Sequence, residues 1–97
     1  MRILAILQNQ WFKKPDAVKA VFDRHPAMRN ELIKRLLFSG CASGQRLRSA
    51  FGDLCDKIIW EEASREIGSH SSAAFKADIE HIRNAINFHQ PDIIICF

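Results

Sequence analysis

Three consecutive amides followed by two aromatics, Gln8-Asn9-Gln10-Trp11-Phe12, make the most unusual chemical cluster in the chain. Amides present donors and acceptors at fixed geometry, and aromatic rings present a stacking face. The run therefore suits recognition of a planar, hydrogen-bonding ligand such as a nucleobase. The competing reading is a polar loop whose Trp11 and Phe12 pack on the core. A second cluster, Gly40-Cys41-Ala42-Ser43-Gly44-Gln45-Arg46-Leu47, is a small-residue loop leading into a helix. Unpaired amides at a helix start attract phosphate or carbonyl oxygens, which makes Ser43, Gly44, Gln45 and Arg46 candidate phosphate contacts, with Arg48 nearby. No Gly-Lys-Ser/Thr follows, so this is not a Walker loop, and an ordinary helix cap with two solvated arginines is the alternative.

Glu61 and Glu62 have the chemistry of a general base or a ribose contact, or simply of a solvated charge pair. The histidines are His25, His70, His81 and His89. His81 and His89 share one helix two turns apart, too far for a two-ligand metal face, so no metal site is expected. The sequence has no Gly-x-Ser-x-Gly elbow, and no Cys–His pair declares itself. No cofactor is expected either.

These groups need elements to position them. Ile3–Leu7 and the run Asp92-Ile93-Ile94-Ile95-Cys96-Phe97 are near-continuous apolar stretches rich in Ile, the pattern of strands covered on both faces. A shorter strand is expected at Lys57-Ile58-Ile59-Trp60, stopped by Glu61-Glu62. Pro15 suits a first helical position, with Val18, Val21 and Phe22 following at helical spacing. Pro26 opens a second helix carrying Met28, Leu32, Ile33, Leu36 and Leu37, which ends near Ser39-Gly40. Ser43 is placed to cap a third, carrying Leu47, Ala50, Phe51 and Leu54, with Gly52 able to end it early. Asp78 caps a fourth, with Ile79, Ile82, Ala85, Ile86 and His89 along one side until Pro91 breaks it. Gly68-Ser69-His70-Ser71-Ser72 reads as a surface loop.

Strand, helices, strand, helix, strand is the order of an α/β domain. The expected architecture has three layers, with a short parallel sheet of about three strands flanked by helices. Right-handed crossovers put the strands' carboxyl ends along one edge, where ligands of open α/β sheets bind. Gln8 to Phe12 arrive there after the first strand and Glu61-Glu62 after the second. The chain stops at Phe97 on the last residue of a strand, so a longer protein, and a sheet incomplete at its carboxyl-terminal end, are expected.

Residues 1–97 form one domain at most, since domains run to roughly 100–200 residues. With 47% hydrophobic and 26% charged residues, the chain is neither a disordered tail nor a repeat fibre. No apolar run approaches the roughly 20 residues that span a bilayer. The apolar start lacks a small-residue cleavage site and reads as a buried strand rather than a signal peptide. Cys41, Cys55 and Cys96 are odd in number and form no CxxC pair, which points to free thiols in a reducing cytoplasm. A net charge of +3 is compatible with nucleic-acid contact without requiring it.

Taken in order, these pieces resemble the uracil-DNA glycosylase superfamily, especially its bacterial branches. Members carry a strand, an active-site loop, a Gly-x-x-Gly-Gln-x-Leu stretch opening a helix, a short strand, a variable loop, a helix, and a strand of the type Pro-x-Val-Ile-Val-Ala-Leu-Gly. Here Ser43-Gly44-Gln45-Arg46-Leu47 is similar to the Gly-Gln-x-Leu stretch, with Gly40 just upstream. Ile58-Ile59-Trp60 is similar to the short strand, and Pro91-Asp92-Ile93-Ile94-Ile95-Cys96-Phe97 to the later one.

The resemblance implies base excision by flipping, with the base held in a pocket that reads its edge and stacks its face. It puts Asn9, with Gln8 as second choice, in the water-positioning place, and Gln10, Trp11, Phe12 and Glu61 around the base. The chain departs from the family in three ways. The first loop has no carboxylate, and an amide orients water without accepting its proton. Glu61 stands where many members place Asn, which favours a base presenting donors. The family's later, typically His-containing motif lies beyond this chain, which is therefore expected to be an incomplete catalytic unit with DNA as its partner. Two alternatives stay open: a non-catalytic nucleic-acid or nucleotide binding module, and an α/β protein that associates with itself through an exposed sheet edge.

Overall fold

The computed structural model describes residues 1–8, 12–39, 41–67 and 77–97. Asn9, Gln10, Trp11, Gly40 and the expected loop at Gly68 to Ser72 lie outside the described residues. The elements run β1 (Ile3–Leu7), α1 (Pro15–Arg24), a 3₁₀ turn (Pro26–Met28), α2 (Arg29–Phe38), α3 (Ala42–Phe51), a second 3₁₀ turn (Gly52–Asp56), β2 (Ile58–Glu62), α4 (Ile79–His89) and β3 (Ile93–Cys96). The expected α/β class is observed: the described residues form three parallel strands in the order β2-β1-β3, with four helices around them.

β1 is the central strand, and its register explains its composition. Ile3 lies beside Ile58 on one side and Ile93 on the other, and Ile6 beside Glu61 and Cys96. Leu4 and Ala5 are fully buried although they point to opposite faces, as a strand covered on both faces requires. Ala5, Leu7, Ile58 and Trp60 share one face with Ile33 and Leu37 of α2 and Cys55 of the second turn. Phe22, Phe38, Leu47 and Phe51 pack around that cluster. Trp60 is its anchor. The indole N–H donates to the Cys55 carbonyl at 2.9 Å, Phe38 meets the ring edge-on, and Phe97 stacks on it at 6.3 Å.

Several elements differ from the sequence expectation. β2 runs through Glu61 and Glu62 instead of stopping before them, because both pair in register with β1 and are buried. β3 is an edge strand, with Ile93 and Ile94 more than 40% exposed rather than buried. Pro26 opens a 3₁₀ turn, and the second helix begins at Arg29. α3 starts at Ala42 with Cys41 in the cap position, so Ser43 lies inside the first turn and caps nothing. Gly52 ends that helix at φ 57°, ψ −133°, a backbone region that favours glycine, so Leu54 falls in the 3₁₀ turn. α4 is capped as expected, the Asp78 carboxylate accepting from the His81 N–H at 3.1 Å. Its buried residues are His81 and Ala85, while Ile79 is exposed.

Gly44 allows α3 to lie against the last turn of α2. A side-chain carbon there would overlap the carbonyl oxygen of Leu37. That contact can be relieved only by moving a helix, so Gly44→Ala is expected to destabilise the fold by about 3 kcal/mol. A urea unfolding series comparing midpoints at unchanged slope checks it.

Candidate functional site

The strand order reverses about β1. The chain passes from β1 to β2 on one side, then crosses to β3 on the other. In open parallel sheets such a reversal leaves a crevice outside the carboxyl ends of the two strands on either side of it, here β1 and β3. The residues that reach it are Gln8, exposed just past β1, and Cys96 and Phe97 at the end of β3. Phe97 donates its backbone N–H to the Ile6 carbonyl at 3.0 Å, so the tips of β1 and β3 are held side by side. Phe12, the last member of the amide–aromatic run, is half-buried, and Lys13 and Lys14 follow it, exposed, immediately before α1.

The other side of β1 is built differently. Glu61 is 3% exposed, and its carboxylate is turned into the fold. Its Oε1 accepts from Arg29 Nε at 3.0 Å and from the Glu62 backbone N–H at 2.9 Å, with Arg29 Nη2 also at 3.0 Å. His81 Nε2 lies 3.2 Å from the same oxygen. The Asn30 amide donates to Oε2 at 3.1 Å and to the Trp60 carbonyl at 2.8 Å. One carboxylate thus ties the first turn of α2 and the first turn of α4 to the end of β2. Burial pushes the Glu61 carboxyl upward, but the Arg29 guanidinium, the Glu62 N–H and the His81 ring outweigh it. The group is held below the ordinary carboxylate value.

The sequence expectation placed Glu61 against a ligand's base edge. In the structure both of its oxygens are engaged within the protein, and it sits beside β1 away from the β1/β3 crevice. The residues that hold it, Arg29, Asn30 and His81, were not singled out from sequence as its partners. Their spacing gave no signal, because they come from two helices separated by about half the chain.

The loop leading into α3 also has a packing account. Gly44 is buried against the end of α2, whose terminal carbonyls place the negative end of one helix dipole beside the positive start of the next. Ser43, Gln45 and Arg46 are exposed on the surface. Arg48 is committed elsewhere: it lies 4.5 Å over the Phe38 ring and pairs with Asp56 at 3.2 Å. The hydrogen bond to Asp56 raises the Arg48 pKa, and the bonds from Arg48 and Lys34 lower that of Asp56.

Among the described residues no group of three or more His, Cys, Asp or Glu could hold a metal ion, and no helix is long and apolar enough to cross a membrane. Cys41, Cys55 and Cys96 are free thiols. Comparison with models of protein families, with curated proteins and with solved structures returned no match.

Removing the buried Glu61 charge leaves the half-buried Arg29 and the His81 ring without their shared partner, so Glu61→Gln is expected to cost about 3 kcal/mol. The pH dependence has a definite sign. A carboxyl held lower in the folded than in the unfolded state stabilises the fold above the ordinary carboxylate range. That contribution is lost as pH falls through the lowered value. Acid titration of the unfolding free energy should therefore be steeper for the unaltered protein than for Glu61→Gln below about pH 4.

Proposed function

We propose that this chain is a nucleobase-binding α/β module of uracil-DNA glycosylase type, which takes a flipped DNA base into the crevice outside the carboxyl ends of β1 and β3. The observation that carries the reading is the reversal of strand order at β1. It brings the strand that leads into Gln8-Asn9-Gln10-Trp11-Phe12 to the place where open α/β sheets bind ligands. In that reading Gln8 and Gln10 read the base edge, Trp11 and Phe12 stack on its face, and Asn9 orients water against the sugar carbon. Hydrolysis of the N-glycosidic bond is slow, because an amide does not accept the proton of the attacking water. Glu61 holds the two helices around the sheet instead of touching the base. Lys13 and Lys14, exposed and unpaired among the described residues, supply phosphate contacts. Exposed Ser43, Gln45 and Arg46 remain further phosphate candidates, and the free thiols fit a cytoplasmic setting.

Gel-shift and excision assays on uracil-, hypoxanthine- and mismatch-containing duplexes test the proposal. Binding should weaken with salt, and Lys13→Gln with Lys14→Gln should lower the salt slope by about one unit per lysine. Phe12→Ala should weaken binding by about 1–3 kcal/mol. Asn9→Asp should raise excision, since a carboxylate supplies the missing base. Failure of the chain to bind any of these duplexes sinks the reading.

A second reading, association with another copy, is favoured by one observation. Ile93, Ile94 and Phe97 are exposed by 42%, 44% and 49% along a strand whose outer edge pairs with no described strand. Ile93 to Phe97 carries no charge or proline to discourage edge pairing. Light scattering over a concentration series should show a dimer that Ile94→Lys converts to monomer; a monomer at every concentration removes this reading.

A further inference from the structure

The sheet has two outer edges, and side chains close only one of them. The Ala63 N–H donates to the Leu7 carbonyl at 2.9 Å, so Ala63 and Glu61 turn their backbone groups toward β1. Trp60 and Glu62 alternate with them and turn theirs outward. That edge is stopped: the Asn30 amide donates to the Trp60 carbonyl at 2.8 Å, and the Glu62 N–H donates to Glu61 Oε1 at 2.9 Å. Across the sheet, the N–H groups of Ile93 and Phe97 donate to the Arg2 and Ile6 carbonyls. Ile94 and Cys96 therefore aim their N–H and C=O groups away from β1, and among the described residues nothing meets them. The side chains of Ile93 and Ile94 point to opposite faces and are exposed by 42% and 44%, so neither face of this edge is overhung.

Two outward residues, two positions apart, form a self-complementary pattern. A copy related by a two-fold axis runs antiparallel, and each outward residue exchanges a pair of bonds with the residue opposite. We infer that two copies join β3 to β3, with Ile94 opposite the partner's Cys96, into one continuous sheet. This inference rests on the association reading above and gives it a register.

In that register four backbone bonds form within residues 93–97, and Ile93 lies opposite the partner's Phe97 in a non-hydrogen-bonded pair, where side chains approach most closely. Phe97 is 49% exposed, and a β-branched residue against an aromatic is a favourable cross-strand pair. Sliding Ile94 opposite the partner's Ile94 would bring Asp92 into the ladder, although its N–H is already given to Arg2 at 2.9 Å, and would leave Phe97 without a cross-strand partner. Charge favours a second copy over a charged peptide. Residues 93–97 carry none, so the two-fold brings no like charges together, and a charged peptide finds no opposite charge along the strand. One strand edge and three apolar side chains make less than the roughly 800 Å² per partner of a standard interface, so the dimer is weak and reversible.

Disulfide trapping tests the register. Opposite residues of a hydrogen-bonded pair stand about 5.5 Å apart between Cα atoms, within disulfide reach. Ile94→Cys in a Cys41→Ser background should therefore give an oxidised dimer on a non-reducing gel. Adding Cys96→Ser should abolish it, because the two residues at position 94 stand diagonally, roughly 7–8 Å or more apart. Hydrogen exchange of the unaltered chain at rising concentration is independent of whether any variant folds. The Ile94 and Cys96 amides should slow by about fivefold once about four-fifths of the chains are paired, while Ile95 and Phe97, already in the β1 ladder, keep their rates. Unchanged exchange at Ile94 and Cys96, no trapped dimer from a folded variant, or trapping that survives Cys96→Ser overturns the inference. If light scattering still shows a dimer in those cases, association stands and this register falls; a monomer at every concentration removes both.

Discussion

A carboxylate with 3% of its surface exposed must find its donors inside the protein, and Glu61 draws them from three separate stretches of chain. Arg29 and Asn30 come from the start of α2, His81 from the start of α4, and the N–H of Glu62 from the adjoining peptide. Burying an ion is costly unless its charge and lone pairs are matched, so the positions of both helices are constrained by this one group. The sharing also has a steric logic. Side chains alternate along a strand, so Trp60 enters the apolar cluster under α2 and α3, while its neighbour Glu61 emerges on the opposite side toward α4. β2 thus joins an apolar layer to a polar one within two residues.

That division gives the two flanks of β1 different characters. On the β2 side the sheet is closed off by charge pairing and by the indole of Trp60. On the β3 side it ends in Ile93 and Ile94, whose exposure contrasts with the full burial of Leu4, the register partner of Ile94. The strand order therefore reverses between a well-packed flank and a lightly covered one. Phe97 bridges the two, stacking on Trp60 at 6.3 Å and meeting Phe51 edge-on at 6.4 Å.

Much of the fold was legible from local pattern. The apolar run of β1 has the boundaries its composition predicts, and Asp78 caps α4 as its position before an apolar-periodic stretch implies. Gly52 ends α3 because its backbone enters a region closed to other residues, a property visible in the residue type itself. The less legible features involve partners distant in sequence. Glu61 and Glu62 look like a strand stop when read as charges, and become strand residues once Arg29, Asn30 and the β1 ladder are present. Ser43 looks like a helix cap, yet α3 starts one residue before it, with Cys41 in the cap position.

Residue order alone therefore determined the α/β class, the position of the first strand and the chemistry available at Gln8 to Phe12, because these follow from periodicity, propensity and functional groups along a continuous segment. Tertiary structure decided which strand became the edge, which acidic side chain was drawn inside, and which nitrogen of His81 faces Arg65. Those outcomes depend on desolvation and pairing between groups as much as 32 positions apart (29 to 61), and local pattern carries no information about such encounters.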